Sequence, residues 1–223
     1  HIEGKAEALR RRIKSRCLEL WPDGEPGIAD MYDPRVACDV LGISYFEFPY
    51  FEDRFSGQPG GSVAGVLDRQ RNTISVATNF SNEEIRFTTA HEVGHWVLHE
   101  KEVLHRDKPV DAHFLNSDER PQIEREADYF AACFLMPGER VAAEFQIRFG
   151  SQIPFEINED VAFWLAPTDV DSLLNSPKRS MKRALALASA HQFNGRPFDS
   201  LAEKFKVSKS AMAIRLLELS LFK

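Results

Sequence analysis

The chain has 223 residues, of which 43% are hydrophobic and 28% are charged, and its formal net charge is −6 at pH 7. These fractions are typical of globular proteins of one or two domains, and they exclude an intrinsically disordered chain, which has too few apolar side chains to form a core. No apolar run approaches the roughly 20 residues that a transmembrane helix needs, so we expect no contact with a membrane.

The first fifty residues predict two helices followed by a strand. Residues 1–4 lack a start Met and resemble a non-native remnant, so the predicted fold begins after them. Apolar side chains recur at helical spacing over residues 5–20, and Asp33-Pro34 predicts the start of a helix that ends at Gly42. The aromatic-rich segment 43–48 predicts a strand.

Residues 62–67 and 73–77 predict a β-hairpin, because two strand-like runs flank a short polar connection. Ser81 or Asn82 then caps the next helix. We expect the first strand to form the edge of the sheet, where an extended substrate can pair with its main chain. The residues of this predicted substrate edge are Ser62, Val63, Ala64, Gly65 and Val66.

The helix after the hairpin carries the most informative motif of the chain, H-E-V-G-H at residues 91–95. His91 and His95 lie about one helical turn apart on the same face, where both imidazoles can ligate one Zn²⁺. Glu92 lies beside them and can accept a proton from an attacking water. The alternative is a helix with two surface histidines.

A second helix, predicted between Pro121 and Pro137, supplies the rest of the candidate metal site. A catalytic zinc ion needs three protein ligands and one open position. Glu124 and Asp128 share a helical face, so Glu124 can be the third ligand and Asp128 can orient a ligating histidine. Glu126 points away from Asp128 around the helix and fits this pairing less well. An ordinary charged helix face is the alternative.

Other side chains near these helices have less specific predicted roles. His99 follows the motif by one turn, and we expect it beside the site or at the surface, since three histidines on one straight face cannot all reach one ion. His105 and His113, in the polar segment 100–120, and Tyr129 are candidate donors to the oxyanion that develops during peptide hydrolysis. A loop or core position is the alternative for each.

The two motif segments resemble the ImmA/IrrE family of metallopeptidases. The first segment reads A-H-E-V-G-H at residues 90–95 with L-H at 98–99, and the second reads E-R-E-A-D-Y-F-A-A-C-F-L-M-P at 124–137. The resemblance is strong over about residues 30–140 and weak elsewhere. This chain has Asp128 where many members have Asn.

The resemblance implies a small gluzincin-like zinc protease. It implies that His91, His95 and Glu124 hold Zn²⁺ and that Glu92 is the general base. By analogy only, it also implies a protein substrate of regulatory function, such as a repressor or an antitoxin-like partner.

The C-terminal third has a different character. Residues 141–175 predict a helical connector, and residues 176–223 predict a helix-turn-helix-like module whose candidate DNA contacts are Lys209, Ser210 and Arg215. Ten Lys/Arg and three Asp/Glu give residues 176–223 a net charge of +7, against −13 for the rest of the chain, which suggests a polyanion partner. Packing of the module within the protein is the alternative.

Cysteine usage and the N-terminal sequence predict a cytoplasmic location. Cys17, Cys38 and Cys133 are widely spaced and form no C-x-x-C pair, which argues for a reducing compartment. No secretory signal pattern opens the chain.

These features predict an α+β protein in which a small antiparallel sheet packs with the helices that carry the zinc site, plus an all-α C-terminal module. The predicted domains are a peptidase domain at 5–140, a connector at 141–175 and the helix-turn-helix-like module at 176–223. The predicted function is a cytoplasmic zinc-dependent endopeptidase that cleaves a regulatory protein. The alternatives are a DNA-binding transcriptional regulator whose metal site is a sensor, and a toxin–antitoxin interaction protein that binds its target without cutting it.

Overall fold

The computed structural model describes residues 1–51, 63–100, 104–107, 121–150 and 152–223, with the main chain alone for 104–107. The chain combines many helices with a small sheet, which confirms the predicted α+β class. Two compact units are present, His1–Leu135 and Met136–Lys223. In the described ranges, no helix has both the length and the apolar composition that crossing a membrane requires.

The first unit contains both motif helices and the sheet. Its helix α1 starts at Ile2, so residues 2–4 belong to the fold, contrary to the expectation that they lie outside it. The elements in chain order are α1 (Ile2–Ser15), α2 (Cys17–Leu20), α3 (Ile28–Met31), α4 (Pro34–Leu41), β1 (Ser44–Phe48), β2 (Gly65–Asp68), β3 (Thr73–Ala77), α5 (Asn82–Leu98), β4 (Leu104–Asp107) and α6 (Gln122–Leu135).

The four strands lie in the order β1-β3-β2-β4. β2 and β3 are antiparallel neighbours, which confirms the predicted hairpin, and β4 is antiparallel to β2. β1 pairs with β3 in parallel, so the sheet is mixed and not antiparallel throughout as predicted. Parallel neighbours need a long connection. Here the connection from β1 to β3 includes strand β2, and β3 then lies beside β1.

Strand β2 is not an edge strand. It pairs with β3 on one side and with β4 on the other, so the prediction of an edge at residues 62–67 is wrong where the strand forms. Ser62 lies outside the described residues, and Val63 and Ala64 are buried just before the strand. The pattern missed this because β4 comes from a segment that reads as irregular. Among the described strands, β1 and β4 are the outermost.

Two sets of polar contacts, a capping box and the hydrogen bonds of a buried arginine, hold the N-terminal half of helix α5. Ser81 and Glu84 form a capping box, in which Ser81 Oγ accepts from the Glu84 amide and the Glu84 carboxylate accepts from the Ser81 amide. The buried Arg86 donates to Asp33 Oδ2 at 3.0 Å and to the carbonyl oxygen of Ala29 at 2.6 Å. A helix held in this way can bury residues 88–95, including the whole motif, without losing its register.

A glycine sets the distance between α5 and α6. A Cβ atom on Gly94 would lie 3.1 Å from both the Ala127 carbonyl oxygen and Phe130 Cδ1. Because glycine has no Cβ, the backbones of the two helices can approach closely at this point. The close approach brings the acidic side chains of α6 to the histidines of α5.

The second unit is built around one aromatic cluster. Phe149 packs against both Phe193 and Phe198, with ring centroids 5.5 and 5.9 Å apart. The predicted connector 141–175 and the predicted module 176–223 therefore share an aromatic cluster within one compact unit. The elements are α7 (Gly138–Phe149), α8 (Glu159–Leu165), α9 (Val170–Leu174), α10 (Met181–Ser189), β5 (Gln192–Phe193), β6 (Arg196–Pro197), α11 (Leu201–Phe205) and α12 (Lys209–Glu218).

Helices α11 and α12 lie within the segment for which the sequence predicts a helix-turn-helix-like module. Ser208 caps α12, since its Oγ accepts a hydrogen bond from the Ala211 amide at 3.1 Å. Every residue from 211 to 216 is buried, which is more than one full turn of α12. The middle of α12 therefore has no exposed face that could enter a DNA groove.

Candidate metal centre

Three side chains from α5 and α6 converge on one point. The Nε2 atoms of His91 and His95 lie 2.9 Å apart. The carboxylate of Glu124 places Oε2 3.4 Å from His91 Nε2 and Oε1 3.5 Å from His95 Nε2. Both histidine side chains are fully buried, and the Glu124 side chain is 13% exposed. These are the three metal ligands that the sequence predicts, and the structure brings them together.

The geometry of this cluster fits a zinc ion. Tetrahedral bonds of about 2.0–2.2 Å from zinc to nitrogen and oxygen place neighbouring ligand atoms roughly 3.3 Å apart. The three separations, between 2.9 and 3.5 Å, are close to that value. Two imidazoles and one carboxylate are also the donor set of catalytic zinc sites that keep a fourth position open.

Asp128 orients His91. Its Oδ1 lies 2.8 Å from His91 Nδ1, and both side chains are buried. The carboxylate can only accept, so Nδ1 carries the hydrogen and Nε2 presents its lone pair to the site. The position predicted for Asp128 beside a ligating histidine is the position that the structure shows.

A second outer contact involves His99, which lies beside His95 at one of the two positions expected for it, and its partner Glu126, which was not predicted. His99 Nδ1 lies 2.9 Å from His95 Nδ1, and His99 Nε2 lies 3.1 Å from Glu126 Oε2. Hydrogen bonds from Gln122 and, to a smaller degree, from His99 lower the pKa of Glu126. The spacing of His95 and His99 indicates that they are neighbours, but the angle at which α6 crosses α5 decides that Glu126 faces His99. Sequence spacing does not contain that angle.

Glu92, the predicted general base, is fully buried beneath strand β2. A Cβ atom on Gly65 of that strand would lie 2.5 Å from Glu92 Oε1. The β-hairpin and the motif helix therefore fit together at the Glu92 carboxylate. Glu92 directly follows His91 in the chain, and both side chains are fully buried, so the predicted general base lies in the same buried turn of α5 as a candidate metal ligand.

Arg69, in the turn between β2 and β3, caps the C-terminal end of α5. Its Nη2 donates to the carbonyl oxygens of His95, Trp96 and His99, at 2.8, 2.7 and 3.1 Å. The guanidinium also lies over the Trp96 ring, 4.6 Å from its centroid. The hairpin thus fixes the helical turn that carries His95, a role that no local motif reveals.

The three candidate oxyanion donors, Tyr129, His105 and His113, stay predictions. Tyr129 lies on α6 next to Asp128 and is 36% exposed. His105 falls in β4, whose side chains are not described, and His113 lies outside the described residues.

The candidate DNA contacts divide into two kinds. Lys209 is exposed and Ser210 is half-buried at the start of α12. Arg215 is only 2% exposed, and it donates to the Met136 carbonyl oxygen at 3.0 Å and to Glu218 at 2.9 Å. The prediction that Arg215 contacts DNA is therefore wrong, because its guanidinium is buried and hydrogen-bonded within the second unit.

Comparison with models of known protein families identifies a match. The peptidase M78 family model, described as the IrrE N-terminal-like domain, matches residues 38–153, just over half of the chain. The matched segment includes the sheet, both motif helices and all three candidate metal ligands. Among curated proteins, no significant match is found.

Proposed function

Since this chain belongs to the ImmA/IrrE family of metallopeptidases, the M78 family, we propose that it is a zinc-dependent endopeptidase acting on a protein substrate. The observation that carries the proposal is the convergence of His91, His95 and Glu124 at zinc-ligand spacing, with the buried Glu92 beside them. A site that only sensed or stored a metal ion would need no such carboxylate.

When bound, a zinc ion at this position supplies Lewis acidity, which polarises the scissile carbonyl and lowers the pKa of a water. Glu92 accepts a proton from the attacking water and passes it to the leaving amine. His91, held by Asp128, keeps its Nε2 lone pair directed into the site. The burial of Glu92 restricts proton exchange between its carboxylate and bulk water.

For the substrate, the proposal is a regulatory protein, such as a repressor or an antitoxin-like partner. It rests on the resemblance of the two motif segments to the family. Strand β4 replaces residues 62–67 as the strand on the outer side of β2, so an extended substrate segment would pair along β4.

The test is Glu92→Gln in the full chain, with a candidate repressor encoded beside the gene as substrate. The substitution keeps the shape of the side chain but removes the proton acceptor. Zinc should stay bound while cleavage falls by about 10²–10⁴-fold. Glu83→Gln, at an exposed position of the same helix, is the matched control and should cleave normally.

Two further variants test whether Glu124 or Glu126 is the third metal ligand. Glu124→Ala should abolish stoichiometric zinc binding, because two remaining ligands hold the ion poorly. Glu126→Ala should retain the ion with lower affinity. A Glu92→Gln protein that holds zinc and still cleaves at the wild-type rate would refute the proposed enzyme.

A further inference from the structure

We propose that His99 and Glu126 are positioning residues that hold the ring of His95 with its Nε2 lone pair directed at the metal, an inference that rests on the proposed metal centre. Together with His95, the two side chains form a hydrogen-bonded chain, His95–His99–Glu126, which we call the relay. It leads from a proposed metal ligand to the surface. The relay uses side-chain atoms alone, so it is distinct from the cap that Arg69 makes on backbone carbonyls.

The hydrogen positions follow from the last member of the relay. The Glu126 carboxylate can only accept, so His99 Nε2 must carry a hydrogen. A neutral His99 then has an acceptor at Nδ1, and the contact of 2.9 Å requires His95 Nδ1 to donate. His95 Nε2 is left with its lone pair, and this is the atom that faces His91 Nε2 and Glu124.

The ring of His91, the other histidine of the site, is held in the same tautomer by a single partner. Asp128 accepts from His91 Nδ1 and leaves His91 Nε2 with its lone pair. Both Nε2 lone pairs and the Glu124 oxygens then meet within 3.5 Å, where they repel one another unless a cation lies between them. The outer carboxylates of both ligands, Asp128 and Glu126, come from the helix that supplies Glu124.

Burial decreases steadily along the relay. The side chain of His95 is fully buried, that of His99 is 10% exposed and that of Glu126 is 34% exposed. Most of the exposure lies at the terminal carboxylate, so water cannot easily replace His99 as the acceptor for His95. Loss of His99 should therefore remove the observed acceptor of the buried His95 Nδ1.

The experiment compares two substitutions of His99 in the full chain. His99→Leu removes both hydrogen-bonding atoms, and His99→Gln keeps an acceptor oxygen and a donor amide. We expect His99→Leu to weaken zinc binding by about 10–100-fold, the effect typical of outer partners of a metal site, and His99→Gln to recover most of the affinity. Competition with a chromophoric chelator measures both.

Proton NMR of the zinc-loaded protein supplies a second readout. A hydrogen-bonded Nδ1 proton on His95 should give a downfield, slowly exchanging resonance in the wild-type protein and in His99→Gln. The resonance should disappear in His99→Leu. If His99 only filled space beside His95, the resonance would be absent from His99→Gln as well.

His191→Leu is the matched control. His191 Nε2 pairs with Glu203 Oε1 at 2.9 Å in the second unit, so the substitution removes a similar pair outside the site. It should leave zinc affinity unchanged. If His99→Leu does not fold, Glu126→Ala replaces it, because its partly exposed side chain can be truncated at small cost.

The outcomes are separable. Zinc affinity unchanged in His99→Leu and Glu126→Ala, or equal loss in His99→Leu and His99→Gln, would overturn the relay while the metal centre stands. A wild-type protein that binds no zinc would overturn the metal centre itself.

Discussion

Gly65 lies directly against the carboxylate of Glu92, and a Cβ atom at Gly65 would come within 2.5 Å of Glu92 Oε1 and 2.9 Å of Thr88 Cγ2. Both neighbours are buried, so neither side chain can turn freely into solvent. The position thus links a residue of strand β2 to the proposed chemistry, although Gly65 has no reactive group of its own.

The first prediction concerns this contact. Gly65→Ala should displace the Glu92 carboxylate and lower kcat/KM by about 10²-fold, the cost of a misplacement near 1 Å, while zinc content stays near stoichiometric. Peptidase assays and elemental analysis measure the two quantities. Gly27→Ala is the control, since its Cβ would have only an ordinary contact, 3.6 Å from Asp30 Oδ2. Normal turnover in Gly65→Ala would contradict the placement of Glu92.

The second prediction concerns the approach of α5 to α6. In Gly94→Ala the new methyl group would press on the Ala127 backbone at 3.1 Å, and this cannot be relieved by a rotamer change. We expect a loss of about 1–3 kcal/mol in the free energy of unfolding and weaker zinc binding, because Glu124 moves away from the histidines. Denaturant titration with and without zinc measures both effects. Unaltered zinc affinity would show that the centre tolerates separation of the helices.

The third prediction concerns Asp128. Asp128→Ala removes the acceptor for His91 Nδ1 and should lower metal affinity or activity by about 10–100-fold. Asp128→Asn keeps an acceptor oxygen and should have a much smaller effect. Isothermal titration with zinc distinguishes the two variants. If they were equally impaired, the negative charge of Asp128 would matter and not its geometry.

The fourth prediction concerns Arg69. Arg69→Ala removes three donations to the end of α5 and the contact with Trp96, and should destabilise the protein by about 1.5–3 kcal/mol. Arg69→Lys should recover part of this loss, since an ammonium group can donate but cannot reproduce the planar stack. Chemical denaturation gives both values. Wild-type stability in Arg69→Ala would mean that water caps the helix equally well.

The fifth prediction concerns thiol reactivity. Burial, assisted by the charge of Asp39, raises the pKa of the Cys38 thiol to about 12. The thiol therefore stays protonated well above neutral pH, and the thiolate is the reactive form. Iodoacetamide at pH 8 should modify the half-buried Cys17 before Cys38, as followed by peptide mass spectrometry. Equal rates at the two sites would contradict the burial of Cys38.

Local spacing, together with the family resemblance, was sufficient to select the three side chains that the structure brings together as candidate ligands. His91 and His95 are one turn apart on any α-helix, and Glu124 shares a face with Asp128 on the next, so these relations do not depend on the rest of the fold. The fold class followed in the same way, because the hairpin and the motif helices each have local sequence patterns.

Relations between elements could not be predicted from spacing. The pairing of β4 with β2, the contact of Glu126 with His99 and the cap that Arg69 places on α5 all depend on how separate elements pack. The burial of Arg215 could not be predicted from the sequence either. An arginine on a helix is expected to be exposed, and only the structure shows that the Met136 carbonyl oxygen accepts a hydrogen bond from it.

A metal ion held between α5 and α6 would also act as a cross-link that exists only in the folded chain. The ligands on the two helices come together through folding, so the free energy of binding adds to the free energy of unfolding. At a free zinc concentration 100 times the Kd, this linkage amounts to about 2.7 kcal/mol. The supply of zinc would then influence the resistance of this chain to degradation as well as its activity, because the loss of about 2.7 kcal/mol raises the unfolded fraction that proteases attack by roughly 100-fold.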